Sequence, residues 1–260
     1  LHALTKADAK KILDHVVLVE ALSDCIVPQY PPFSPVIFRE AYGELWIENG
    51  ASHKALATLP HTTTTSHLDA YREQKLFGLN GFQVSAAIIG DAMNVYTIDV
   101  ALRHPHLVKF FTRMHRDRAL VMAKLVPHFS EKEHAAYLTK VTTRLENVHF
   151  TDTIDRLLLN LTEKLNAKER LVRVALAMPG SIYISSIIAL GIAYLRRTNR
   201  QYAQQSFVRV LDTIVRLPAT PEAKELRRIL IAEGDEMKRT SALQFIQRIA
   251  SHSWKVAYRK

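Results

Sequence analysis

Cysteine and glycine are both scarce in this 260-residue sequence, and each shortage excludes a class of structure. The single cysteine, Cys25, cannot form a disulfide within the chain, which fits a reducing compartment. The eight glycines nowhere form the Gly-x-Gly-x-x-Gly turn that holds a dinucleotide pyrophosphate. We therefore assign no cofactor-binding residue to this sequence.

Long apolar runs are also missing. No stretch reaches the roughly 18 apolar residues that are typical of a membrane-spanning helix. The nearest candidate, residues 182–195, is interrupted by Ser185 and Ser186. We expect a buried helix there and no membrane span.

Positive charge is in clear excess. The formal net charge is +10 and the isoelectric point is about 9.7, which favours acidic partners such as nucleic acid, anionic lipid or an acidic protein face. A basic organellar setting, such as the mitochondrial matrix, explains the same charge. We expect protein partners in a larger assembly, with nucleic acid less favoured. Because the sequence begins at Leu1, we also expect a processed chain or a piece of a longer one, in an organelle or the cytoplasm.

The apolar spacing predicts a mainly α fold with a small β-sheet near the N-terminus. Strands are expected at 23–28 and 36–46, and a loop at 49–66 that includes four consecutive threonines. Ser130 and Glu133 have the spacing of a capping box. Helices are expected at 5–22, 68–103, 107–129, 130–147, 152–165 (capped by Asp152), 166–178 (capped by Asn166), 181–197, 201–217, 221–233 and 235–254.

Three polar residues stand out in the helix expected at 68–103. At about 100° per residue, Lys75, Asn80 and Gln83 fall within about 140° of one face. A lysine on such a face can act as a general base, and an asparagine amide can donate to an alkoxide forming on a substrate hydroxyl. The alternative is an ordinary polar stripe that faces water.

Several segments resemble the long-chain polyol dehydrogenases, the family of mannitol-1-phosphate 5-dehydrogenase. The run Lys75-Leu76-Phe77-x-Leu79-Asn80 is similar to the catalytic helix of that family, which reads Lys-x4-Asn-x2-His. The resemblance extends in order over residues 5–215. It includes Asp24-Cys25-Ile26-Val27-Pro28, His134-Ala135-Ala136-Tyr137, Arg144-Leu145-Glu146-Asn147 and Lys164-Leu165.

The resemblance implies a fold and a set of roles. It implies the multi-helix C-terminal domain of the mannitol dehydrogenase type at 23–260, without a Rossmann domain, and a helix at 1–22 that corresponds to the end of the cofactor domain. Lys75, Asn80 and Gln83 would then be the catalytic residues, with Lys75 as base and Asn80 as oxyanion donor. Asp24, Arg156 and Lys164 would bind substrate. No cofactor is expected in this chain, and NAD would be the cofactor if a Rossmann domain is supplied.

Departures from the family pattern favour a catalytically degenerate relative that serves as a scaffold or interaction subunit. Gln83 stands where the family has histidine, Cys25 and Leu159 stand where it has arginine, and Leu161 stands where it has proline. The alternative is the substrate-binding and catalytic domain of an NAD-dependent enzyme that interconverts a hexitol phosphate and fructose 6-phosphate. Whether the chain is an enzyme stays open at this point. No metal site is expected, because the histidines lack partners at ligand spacing.

Overall fold

The structure, a computed structural model, describes residues 19–27, 39–49, 56–149 and 152–251. The described residues fall into two compact units, the first ending at residue 72 and the second beginning at residue 73. The predicted mainly helical fold with a small sheet is confirmed. Most of the helix expected at 5–22 lies outside the described residues, and Ala21 and Leu22 belong to a strand.

The sheet of the first unit has three strands: β1 (Ala21–Asp24), β2 (Glu44–Glu48) and β3 (Thr62–Thr65). Strand β2 lies in the middle, antiparallel to β1 and parallel to β3. A 3₁₀ turn, Leu56–Thr58, precedes β3. The Trp46 ring stacks on Tyr71 with centroids 5.0 Å apart. This contact joins the sheet to the helix that follows it.

Two sheet predictions were wrong. The threonine run was expected to be a loop, but β-branched threonines favour extended backbone, and Thr62–Thr65 form β3. The strands expected at 23–28 and 36–46 are shifted, because β1 ends at Asp24 and residues 39–43 are not strand. Beyond β1, the Ile26 N–H donates to the Glu40 carboxylate, while the Ile26 carbonyl accepts from the Glu40 N–H at 3.2 Å.

The helices are numbered here in chain order. They are α1 (Leu68–Lys75), α2 (Gly81–Ala92), α3 (Ile98–Arg103), α4 (Pro105–Leu125), α5 (Glu131–Leu145), α6 (Ile154–Leu158), α7 (Leu161–Lys164), α8 (Val172–Ala177), α9 (Ile182–Thr198), α10 (Arg200–Ala203), α11 (Phe207–Ile214), α12 (Pro221–Met237) and α13 (Ala242–Ser251). Between α1 and α2, residues Leu76–Asn80 form a turn of π-helix, called the π turn below.

Helix α9 is the centre of the second unit. It contacts α2, α4, α8, α10, α11 and α12, which leaves its middle almost without exposed surface. Both of its buried serines have acceptors: Ser185 Oγ donates to the Ser181 carbonyl at 3.0 Å, and Ser186 Oγ donates to Glu233 of α12 at 3.4 Å. The predicted buried helix is confirmed. Among the described residues, no helix is both long and apolar enough to cross a bilayer.

Several long helices expected from periodicity are interrupted. The helix expected at 68–103 stops at Ala92, where Asn94 adopts φ 54°, and resumes at Ile98. The helix expected at 152–165 breaks at Asn160, which has φ 55°. Asparagine tolerates this left-handed conformation better than most residues, so it ends helices that apolar spacing alone would continue.

Helix caps account for most remaining differences. Asp152 is not the cap of α6, because Thr153 accepts from the Arg156 N–H and Asp152 pairs with the Arg156 side chain. The helix expected from Asn166 begins only at Val172, and the one expected at 201–217 divides before Ser206, the cap of α11. The predicted capping box of Ser130 and Glu133 is confirmed at the start of α5.

Candidate functional site

Lys75, Asn80 and Gln83 lie on one continuous helical stretch that runs from Leu68 to Ala92. All three are half-buried, and the π turn separates the lysine from the asparagine. Residues five positions apart are about 140° apart in an α-helix, but a π turn is closed by hydrogen bonds between residues i and i+5. Lys75 and Asn80 therefore point to nearly the same side. Gln83 follows Asn80 by three positions of ordinary α-helix and shares that face.

The hydrogen bonds of the π turn are shifted by one residue relative to an α-helix. The Gly81 N–H donates to the carbonyls of Leu76 and Gly78 and bypasses that of Phe77, its ordinary α-helical acceptor. Arg118 of α4, which has no exposed surface, donates from Nη1 to the Phe77 oxygen at 2.6 Å. The carbonyl left over by the π turn is thus satisfied by a side chain.

Two glycines permit close packing around the π turn. A Cβ atom on Gly78 would lie 2.4 Å from Tyr137 Cε1, and one on Gly81 would lie 2.4 Å from Arg118 Nη1. Contacts this short are not tolerated, so any side chain at either position must displace its neighbour. The pair Gly78 and Gly81 allows α4 and α5 to approach the turn.

Gln74, the residue before the candidate lysine, contacts His134 of α5. The His134 side chain, which is fully buried, faces the Val126 carbonyl through Nε2 at 3.3 Å and Gln74 Nε2 through Nδ1 at 3.4 Å. Because a carbonyl can only accept, Nε2 carries the proton, and Nδ1 accepts from the Gln74 amide. Burial lowers the pKa of His134, which favours this neutral form. Gln74 is thereby fixed, and Lys75 follows it directly.

Cationic residues flank the other side of the π turn. Arg173 of α8 lies over the Phe77 ring at 4.7 Å from the centroid and pairs with Glu73 at 3.1 Å. The carbonyl oxygen of Arg170 lies 3.5 Å from where a Gly81 Cβ would be. The segment that leads into α8 therefore passes close to Gly81.

Two predicted substrate residues, Arg156 and Lys164, belong to one cationic cluster together with Arg170. Lys164 Nζ donates to the Leu157 carbonyl at 2.9 Å. Burial lowers the pKa of Lys164, and the charges of Arg170 and Arg156 lower it further. Arg156 pairs with Asp152, and Arg170 pairs with Glu169 at 3.2 Å. Lys164 is thus the member of the cationic cluster that donates to a neutral carbonyl.

The remaining predicted substrate residue, Asp24, belongs to the first unit. It is fully buried at the end of β1, opposite Glu44 of β2. Cys25 follows it, half-buried, with Arg39 Nη1 3.8 Å from its sulfur. Leu159, where the family has arginine, is 63% exposed after α6. Its exposure means that a longer charged side chain would fit at that position.

The histidine and acidic side chains do not gather into a metal site in the part of the chain that the structure describes. Within the described ranges, no group of three or more His, Cys, Asp or Glu residues lies close enough to hold a metal ion.

Sequence reasoning missed Arg118 and Ser85. Arg118 is 41 residues from the carbonyl it binds, and no local pattern connects positions so distant. One signal was present in the chain, because two glycines three positions apart inside an apolar helical pattern indicate a close approach of other residues. Gly78 and Gly81 are that pair.

The match to a known family covers most of the chain. The family described as the mannitol dehydrogenase C-terminal domain matches residues 67–250. The mannitol-1-phosphate 5-dehydrogenase of Bacillus pumilus is 28% identical over 193 residues, which cover 74% of this chain and 51% of that protein. The enzyme of the same name from Enterococcus faecalis is 31% identical over 157 residues, 59% of this chain and 40% of that protein. The chain thus spans about half the length of these relatives, or less.

Solved structures show the same fold. A D-sorbitol dehydrogenase in substrate-free form has a TM-score of 0.70 at 15% identity, covering 93% of this chain and 57% of its own. Mannitol 2-dehydrogenase of Pseudomonas fluorescens, solved with NAD and D-mannitol, has a TM-score of 0.67 at 13% identity. The match covers 96% of this chain and 57% of that structure's chain. At such low identity these two matches show only that the fold is shared. The family match over residues 67–250 shows that this chain belongs to the mannitol dehydrogenase C-terminal domain family.

Proposed function

We propose that this chain is the substrate-binding half of an NAD-dependent dehydrogenase that acts on a phosphorylated hexitol. The observation that supports the proposal is the π turn between Lys75 and Asn80, whose i to i+5 hydrogen bonds would bring the two residues to one side of the helix. π turns inside α-helices occur frequently at functional sites. The relatives named mannitol-1-phosphate 5-dehydrogenase supply the substrate class.

The roles of the two residues follow from their chemistry. Oxidation of a secondary alcohol requires that its hydroxyl proton be removed while a hydride leaves the carbon. Lys75 Nζ, in its neutral form, would accept that proton, and the Asn80 amide would donate a hydrogen bond to the developing alkoxide. NAD would supply the hydride acceptor, bound by residues outside this chain, since the sequence has no glycine-rich dinucleotide fingerprint.

The cationic cluster favours a phosphorylated substrate over a neutral one. Arg170 joins the cluster to the π turn, because its backbone lies close to Gly81 while its charge acts on Lys164. A phosphate near Lys164 would replace repulsion between like charges with charge-assisted hydrogen bonds, each worth about 1.5 to 3 kcal/mol. We therefore assign Lys164 to the phosphate, with Arg156 and Arg170 as supporting charges.

Calorimetric titration with D-mannitol 1-phosphate, D-mannitol and inorganic phosphate tests this proposal. We expect the phosphorylated hexitol to bind at least about tenfold more tightly than D-mannitol, since one charge-assisted contact is worth that much. Lys164→Met should remove the difference. Lys168→Met is the matched control, because Lys168 is an exposed lysine in the same segment. Equal affinity for the two hexitols, or no binding, would reject a phosphorylated hexitol as the substrate.

A second candidate function, a catalytically degenerate scaffold subunit with protein partners, is favoured by Gln83 and Leu159. Glutamine cannot exchange a proton near neutral pH, and leucine cannot pair with an oxyanion as the guanidinium of an arginine does. The combined variant Gln83→His with Leu159→Arg tests it, in a fusion with the part of the Bacillus pumilus relative that this chain does not cover. Turnover by the revertant alone would support the scaffold, whereas turnover by the unmodified fusion would exclude degeneracy.

A further inference from the structure

The carbonyl oxygen of Phe77 lacks its ordinary backbone donor in the helix that carries the candidate base. The Gly81 N–H, which would bond this oxygen in an α-helix, donates instead to Leu76 and Gly78. An N–H that moves back to its ordinary acceptor would turn the π turn into α-helix. A donor that binds the Phe77 oxygen therefore stabilises the π turn relative to the α-helix.

Arg118 occupies that oxygen and bridges the whole turn. Nη1 donates to the Phe77 carbonyl at 2.6 Å, and Nη2 donates to Ser85 Oγ at 2.9 Å. Ser85 Oγ in turn donates to the Gly81 carbonyl at 2.7 Å. One guanidinium thus connects the π turn with the first turns of α2, and the missing side chain of Gly81 leaves the space in which it lies.

The surroundings of Arg118 argue against a role in stability alone. It is fully buried, its Nε has no hydrogen-bond partner, and it forms no ion pair within the described part of the chain. Burial lowers its pKa to about 10, so it stays protonated near neutral pH. A buried charge without a counterion costs free energy that a well-packed apolar residue would not. Costly features of this kind concentrate at functional sites.

The register of the helix depends on the π turn. With the π turn in place, Lys75 and Asn80 lie on the same side, whereas an α-helix would separate them by about 140°. We propose that Arg118 is a positioning residue, which holds the π turn and so keeps Lys75 and Asn80 together. The proposal deepens the proposed function, on which the roles of these two residues rest.

An engineered metal site can measure this register without any substrate. Two histidines on one helix face bind a divalent metal, as pairs four positions apart do in metalloproteases. The reporter pair combines Lys75→His with Asn80→His. Its two histidines are five positions apart and can chelate Ni²⁺ only across a π turn. Leu76→His combined with Asn80→His, the control pair, is four positions apart and can chelate in either form.

The measurement is Ni²⁺ affinity with and without Arg118→Met. We expect the reporter pair to bind Ni²⁺ at least tenfold more tightly than Asn80→His alone, and to lose that advantage when Arg118→Met is added. The control pair should keep its affinity. Arg113→Met is the matched control, since Arg113 lies on the same helix and donates to a different carbonyl, that of Ala250, at 2.6 Å. It should change neither pair.

The outcomes separate register from general stability. Unchanged affinity of the reporter pair in Arg118→Met overturns the proposal, and so does an equal loss in both pairs in a folded protein. If circular dichroism shows that Arg118→Met does not fold, Gly81→Ala replaces it, because the new methyl group would displace Nη1 and should also disable the reporter pair alone. Ni²⁺ binding requires no hexitol phosphate. The test of Arg118 therefore stays valid even if the protein does not bind the proposed substrate.

Discussion

Arg118 Nη1 donates to the carbonyl oxygen of Phe77 at 2.6 Å, across 41 residues of sequence. Removing that donor leaves a carbonyl of the π turn without its side-chain partner, but it also removes a buried charge. Because these two effects oppose each other, we expect Arg118→Met to lower the free energy of unfolding by only about 1 to 3 kcal/mol. Urea denaturation measures this loss. Arg200→Met, at an exposed position, should stay within about 0.5 kcal/mol of the parent.

The two glycines of the π turn should resist substitution. Gly78→Ala and Gly81→Ala each place a methyl carbon 2.4 Å from a neighbouring side chain, and we expect each to cost about 1 to 3 kcal/mol. Gly180→Ala is the matched control, because a Cβ at Gly180 meets nothing within 4 Å. Thermal unfolding of the three variants would contradict this account if all showed the same midpoint as the parent.

The helical part of this fold is the part that local pattern predicts well. Helix α9 is apolar on nearly every face and ends in basic residues, so its limits follow from its own sequence. The capping box of Ser130 and Glu133 is equally local. Strand β3 escaped prediction because four threonines show no apolar alternation, although their branched side chains favour extended backbone.

The candidate site could be predicted only in part. Spacing placed Lys75, Asn80 and Gln83 on one helix face, but it assumed an α-helical twist throughout. The π turn depends on Arg118, a residue of α4. This contact spans 41 residues, so the spacing of residues within one helix does not predict it. The catalytic roles of the three residues stay a prediction.

His115 should make the protein sensitive to acid. The Thr142 hydroxyl donates to the Leu138 carbonyl, so His115 Nε2–H is the donor to Thr142 Oγ1 at 3.1 Å. Its buried Nδ1 has no hydrogen-bond partner among the described residues, and burial together with the Arg118 charge lowers its pKa to about 3. The unfolded chain, with a histidine pKa near 6.5, binds the extra proton first, so stability falls as pH drops from about 6.5 towards 3.

A variant isolates the contribution of His115. Between pH 7 and 4.5, we expect the parent to lose up to about 2 kcal/mol more unfolding free energy than His115→Gln does. The comparison is needed because the raised pKa values of buried Asp117 and Glu233 act in the opposite direction. His149→Gln, at an exposed position, is the control. Parallel pH profiles for the parent and His115→Gln would show that His115 does not titrate as described.

Ser181 should matter more than an ordinary helix cap. It accepts from the Ile184 N–H at the start of α9 and donates to the buried Asp117 carboxylate at 2.6 Å. Ser181→Ala removes both contacts, so we expect a loss of about 2 to 4 kcal/mol. Ser206→Ala, which removes only the exposed cap of α11, should cost about 1 kcal/mol. Chemical denaturation would refute the double role if the two losses were equal.

Lys75 as the proton acceptor is the central claim, and the dependence of turnover on this residue tests it most directly. The measurement is the rate of NAD-dependent oxidation of D-mannitol 1-phosphate by the chain joined to the part of the Bacillus pumilus relative that it does not cover. We predict measurable turnover that falls at least about a hundredfold in Lys75→Met, within the range that a general base contributes, while Lys168→Met turns over like the parent. Turnover that is the same in Lys75→Met as in the parent, or that is missing from the parent altogether, would contradict the account.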